Sequence, residues 1–137
     1  MANKRQDIVD ALQEIIVKTM AFKTVAIWKT GEYAPALCPI CSVRDTIDAF
    51  EPSRYNLHRH NLTVELQIVA VSATSASDAR ELANTAMQAI GSDATLSGLV
   101  EKIVVTRVDL GVDEAGKQVA VLTITLNIIH ETSIYSL

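Results

Sequence analysis

Apolar residues recur along this chain with two periods, and the switches between them mark out its elements. Over residues 4–21 the period is helical. Ile8, Val9, Leu12, Ile15, Ile16 and Met20 share one stripe of a 3.6-residue repeat, while Arg5, Asp7, Asp10, Gln13, Glu14 and Lys18 lie mostly opposite. Residues 24–29 read as a short strand ended by Thr30-Gly31, and residues 37–43 as a second extended piece. Pro39 removes a ladder donor from that piece, which points to an edge position. Residues 45–55 are polar, include Pro52 and read as a loop.

The period then becomes two. Leu62, Val64, Leu66 and Ile68 alternate with Asn61, Thr63, Glu65 and Gln67, and the strand runs to about Val71 before Ser72-Ala73-Thr74-Ser75. A second helix follows, because Ser75 and Asp78 fit a Ser-x-x-acid start. Its buried stripe is Ala79, Leu82, Ala83, Ala86, Met87 and Ile90, with Gly91 as the stop. The alanines at 76, 79, 83 and 86 let this helix lie close against a sheet. Leu96, Leu99 and Val100 suggest one more helical turn over residues 93–100. The last third reads as a hairpin, with strands 102–110 and 118–130 across Asp113-Glu114-Ala115-Gly116.

The order α-β-β-β-α-β-β implies an α+β fold. The expected architecture is a mostly antiparallel sheet of four or five strands with two amphipathic helices on one face. At 137 residues, without linker, repeat or low-complexity segment, the chain is expected to form one domain, 1–137. In the last strand Leu122, Ile124, Leu126 and Ile128 face one way. The other row, Val119, Val121, Thr123, Thr125, Asn127 and Ile129, is β-branched and only half polar, and Val69 and Val71 add to it. A face meant only for water usually carries more charge, so part of this one is expected to be covered by the same chain or by another subunit.

Composition narrows the function classes. The hydrophobic fraction of 49% supports a core, and the formal charge is −4 with a pI near 5.3. Lys and Arg are scattered, so the concentrated basic face needed to grip nucleic acid is missing. No apolar run is long enough to span a membrane, and the N-terminus is amphipathic rather than signal-like, so no membrane partner is expected. Two cysteines in such a chain read as thiols, and the expected setting is the bacterial cytoplasm or a particle assembled there.

Cys38-Pro39-Ile40-Cys41 is the motif closest to chemistry. A redox pair wants its first sulfur at a helix N-terminus, and Ser-Val-Arg-Asp-Thr-Ile-Asp does not make a convincing helix. Zinc would need two further ligands, which His58 and His60 could supply from one side of a strand. The simpler reading is a pair of small buried thiols in an edge strand. His58 and His60 could form a pH-sensitive contact, but strand-end histidines are usually exposed polar groups. His130, on the apolar parity of the last strand, reads as a partly buried terminal residue. Asp45, Asp48 and Glu51, like Asp109, Asp113 and Glu114, read as solvated loop carboxylates. There is no nucleophile elbow and no glycine-rich phosphate loop. No catalytic, cofactor-binding or metal residue is therefore expected, and the chain does not read as an enzyme.

The layout as a whole resembles a known family. The N-terminal helix is followed by two short strands and Arg44-Asp45-Thr46 before a variable loop. The basic run His58-Arg59-His60 then leads into the long alternating strand. After the alanine-rich helix comes Ile90-Gly91-Ser92-Asp93-Ala94-Thr95-Leu96-Ser97-Gly98-Leu99, and the last strand reads Val119-Ala120-Val121-Leu122-Thr123-Ile124. This resembles the tail-terminator (tail-completion, lambda minor tail protein U-like) family of phages and prophages; the cysteine pair is not part of its pattern. The resemblance implies a homo-oligomeric ring, usually a hexamer, that caps the tail tube, ends its polymerisation and presents a surface to the head-completion proteins. Its location would be the virion tail, with DNA only passing through the pore. An acidic protein suits such a pore, because like charge removes the counterion-release attraction. Two other readings stay open: another phage assembly protein (a head–tail adaptor or tail-tube subunit), and a small enzyme or ligand-binding domain, which would need a pocket with convergent polar groups.

Overall fold

The row Leu62, Val64, Leu66 and Ile68 needs a partner row to keep it from water, and the chain supplies one in its last strand. The computed structural model describes residues 4–27, 38–53, 56–113 and 119–133. In chain order the elements are α1 (Lys4–Lys18), β1 (Thr24–Ile27), β2 (Ile40–Pro52), β3 (Leu57–Val71), α2 (Ser75–Gly91), β4 (Lys102–Asp113) and β5 (Val119–Ser133). They make one five-stranded sheet in the order β1-β2-β3-β5-β4. The β1–β2 pair is parallel and the rest are antiparallel, so this is an α+β fold with a mostly antiparallel sheet and two helices.

At its centre Leu62, Val64, Leu66 and Ile68 stand opposite Ile128, Leu126, Ile124 and Leu122, and all eight are buried. The helices close the core over this face. Ile8, Val9, Leu12 and Ile16 of α1, with Ala79, Ala83 and Ile90 of α2, join the same buried cluster. Small alanine side chains let α2 settle on β3 and β5.

Several boundaries differ from the sequence expectation. The helical period extends to Met20, but α1 ends at Lys18. The Thr19 hydroxyl donates to the Ile16 carbonyl, and Met20 takes φ 56° and stands 90% exposed, turning the chain toward β1. The α2 N-cap is Thr74 rather than Ser75. Its hydroxyl and that of Ser72 both donate to Asp78, which secures the first turn from outside. Residues 92–99 form turns instead of a helix, because Leu96, Ser97 and Gly98 all have positive φ.

Pro39 does not mark an edge. It precedes β2, its carbonyl accepts from Lys23 and Thr24, and β1 lies outside β2 as the true edge. The expected strand end at Trp28 and Lys29, Leu37, and the hairpin loop residues 114–118 lie outside the described residues.

The largest correction concerns residues 45–55. Most of this stretch is strand: β2 runs to Pro52, paired with β3 as far as His58. A bulge at Thr46, between Asp45 and Ile47, shifts the register and breaks the alternation that would have shown it as a strand. Two of its acidic residues have partners, Asp45 in Arg5 and Asp48 in His60, while Glu51 is exposed.

Leu66 and Ile124 face each other at the middle of the core. Truncating either to alanine is expected to cost about 2–5 kcal/mol in urea denaturation. Thr123→Ala, on the opposite face, should stay within about 0.5 kcal/mol. Equal effects at all three positions would mean the strand faces are assigned the wrong way round.

Candidate functional site

The far ends of β2, β3 and β5 lie side by side, and their helix-facing parity is not purely apolar there. Phe50 pairs with His60, His60 with His130, and His58 with Thr132. Asp48, two residues before Phe50, shares that face. The first turn of α1 closes over the group: the Lys4 amine donates to the Glu131 carbonyl at 2.7 Å, and Arg5 reaches Asp45 and lies 4.0 Å from Asp48.

His60 is buried and held on both sides. Its Nδ1 is 2.9 Å from Asp48 Oδ1, and an ionised carboxylate only accepts, so this nitrogen carries the proton it donates. Its Nε2 is 2.6 Å from the Thr132 hydroxyl. His130 stacks on it with ring centroids 4.6 Å apart and planes 9° from parallel. The expectation of an exposed His60 and a partly buried His130 is therefore corrected: both are fully enclosed. Among the described residues neither ring nitrogen of His130 has a hydrogen-bond partner, and neither does Asp48 Oδ2. Phe50 leans on His58 and His60 at 5.1 and 5.0 Å and covers the stack from the solvent side.

Burial, and then the charge of neighbouring His60, push His130 down to about 4; Asp48 opposes this and Lys4 adds to it. His130 is thus a neutral ring at neutral pH. Its stacking on His60 resembles an aromatic pair more than a charge pair.

The ligand atoms of Asp48, His60 and His130 lie within 4.8 Å of one another, a spacing that invites a metal reading. The ring geometry does not support it. Imidazole lone pairs lie in the ring plane, and two stacked rings hold theirs in separate, nearly parallel planes. An ion about 2.0–2.1 Å from both nitrogens would have to leave the plane of at least one ring. The Arg5 guanidinium already supplies positive charge to the carboxylates. The group acts as a buried clasp joining β2, β3, β5 and α1.

The two cysteines do not meet these histidines. Cys41 sits in β2 opposite Ile68, at the other end of the sheet from Pro52 and His58, inside the main core. Burial pushes its thiol up to about 12 and raises that of Cys38 as well, the reverse of an activated thiolate. A groove of about 340 Å³ beside Cys38 and Pro39 runs along α2, lined by Asp78, Glu81, Leu82 and Thr85. Asp78 is committed to the helix start. Arg44–Glu65 and Arg59–Glu101, both at 2.9 Å, are further ion pairs in β3's neighbourhood. Asp109 pairs with Arg107 in its own strand.

The clasp was only partly visible in the sequence. His60 and His130 occupy the parity of Leu62 and Ile128, a signal of burial; Asp48 could not be placed without the β2 register. No protein-family model matches this sequence, and no curated protein matches it either. No helix among the described residues is long and apolar enough to cross a membrane.

His130 titrates near 6.5 when unfolded and near 4 when folded, so folding favours its neutral form. Its contribution to stability is complete above pH 6.5 and is lost as pH falls through that window toward 4. At about 1.4 kcal/mol per unit, up to ~3 kcal/mol disappears. Urea denaturation of the parent should show this acid limb, and His130→Leu should flatten it. Parallel pH profiles for the two proteins would contradict the assignment. For the thiols, Cys41 should resist Ellman's reagent at about pH 8 until the protein is unfolded. Rapid labelling in the folded state would show that it is not core-buried.

Proposed function

We propose that this protein is a structural component of a phage or prophage tail: a tail terminator that assembles as a ring on the end of the tail tube. The observation that carries this reading is how the sheet is finished. Among the described residues both helices pack on one face and none lies over the other, although Ile40, Ser42 and Val69 at one end of that second face are buried. That second face carries Thr63, Glu65, Thr123, Thr125 and Asn127, interleaved with apolar Val104, Val121, Ile129 and Ile47, the last 63% exposed. Such a surface suits a neighbouring subunit better than bulk water alone. The element order also supports the reading, since it follows the layout on which the resemblance to tail terminators rests.

The ring would be homo-oligomeric, with six copies in the family's usual form. Its partners would be the tail-tube protein on one side and the head-completion protein on the other. The net charge of −4 favours a lumen that DNA crosses without adhering. A ring uses two different patches on each subunit, and closure depends on the angle between them. Free protein can therefore stay unassembled when that interface is modest, with the tube end as template. The reading assigns no catalytic group: the clasp residues are enclosed, and the groove beside α2 has its main carboxylate tied to the helix start.

Deleting the gene from the phage or prophage that carries it, followed by electron microscopy of the particles, tests the proposal. The expected result is tails of uncontrolled length that fail to join heads. Tails of normal length, properly attached, would overturn it.

A further inference from the structure

The two edges of the sheet differ in a way that matters for association. β1 is four residues long and offers little free backbone. β4 is twelve residues long and, among the described residues, pairs with β5 alone. Natural edges of this length are usually protected by proline, inward charges or a covering helix. β4 has no proline, and α2 packs on β3 and β5 while barely reaching it. As a result Val105, Val108 and Val112, on the helix side of the strand, remain 41%, 49% and 44% exposed. Its protective devices are the bulge at Thr106, between Val105 and Arg107, and the charges of Lys102, Arg107 and Asp109.

The side chains around Val108 are self-complementary. Arg107 and Asp109 flank it on the opposite face and form an ion pair at 2.7 Å, both well exposed. Suppose a second copy lies antiparallel along β4, with the two-fold axis through Val108. Arg107 then stands opposite Asp109 of the second copy, and Asp109 opposite its Arg107. The four charges form a square of alternating sign, each Arg with two Asp neighbours. With Thr106 as the extra residue on each strand, the faces stay in phase beyond the bulge. Leu110 meets Val105, and Val112 meets Ile103, on the helix side. Opposite charges facing each other across strands favour the pair, and like charges would oppose it.

We infer that a second copy of this chain docks on β4, antiparallel and two-fold symmetric about Val108, continuing the sheet across the dimer. An isologous contact of this kind uses one patch twice, whereas a ring uses two different patches. The inference therefore stands or falls independently of the tail-terminator reading.

The test uses purified full-length chain. Light scattering coupled to size exclusion should give twice the 14.9 kDa chain mass, shifting toward a single chain on dilution. Arg107→Asp places four carboxylates in the square and should leave only single chains. Adding Asp109→Arg restores the alternation and should restore the dimer, a rescue that loss of fold could not produce. In a Cys38→Ser background, Val108→Cys should cross-link to a covalent dimer with copper–phenanthroline and air. Facing residues of antiparallel strands have Cα atoms about 4.5–5.5 Å apart, within disulfide reach. Val17→Cys, exposed on α1, should stay largely uncross-linked under the same treatment. A single-chain mass at every concentration, or a larger species indifferent to the charge reversals and to Val108→Cys, would overturn the inference.

Discussion

An unbroken antiparallel ladder joins β3 to β5, from the Leu57/Ser133 pair to the Val71/Val119 pair, and every other element takes its place from it. The pairing brings two four-residue apolar rows face to face on one side of the sheet. Those rows form the surface on which the stripes of α1 and α2 are buried together. Both outer antiparallel ladders, β2–β3 and β4–β5, are interrupted by a bulge at a threonine, whereas the central one is continuous. A bulge increases local twist, so the flanking strands can coil around the straight central pair without breaking its register.

At one end of that ladder the apolar rows give way to His60 and His130. Burying polar rings is expensive unless they are satisfied, and only His60 has partners on both nitrogens. His130 is accommodated as a flat, neutral ring against another ring, with Asp48 and Lys4 acting on it in opposite directions. The arrangement ties the start of α1 to three strands. It also makes that junction sensitive to acid, because proton uptake by His130 would place a charge in an enclosed stack.

The surface divides along the same lines. Chemistry that looks suggestive in one dimension is separated or enclosed in three: Cys41 lies in the core, and the histidines lie at the other end of the sheet under α1. Among the described residues, what remains open is the part of the second face beyond buried Ile40, Ser42 and Val69, and the long edge at β4. Both are surfaces of the kind that pack against other proteins.

The pattern of side chains along the chain already determined the element order, the α+β class and the central core rows. Alternation of Leu62 to Ile68 and of Leu122 to Ile128 has one stable solution, a sheet with one apolar face, and the two helical stripes have nowhere else to go. Resemblance suggested a function that no residue pattern could supply on its own. Tertiary structure alone decided the rest. The strand character of residues 45–52 was hidden because the bulge at Thr46 breaks the period of two, and because acids read as solvent-facing until Arg5 and His60 are known to meet them. The burial of His60 and His130 depended on which strand lies beside which. The parallel placing of β1 outside β2 and the exposure of β4 are matters of strand order. Strand order is set by long-range pairing, which side-chain periodicity along one segment does not encode.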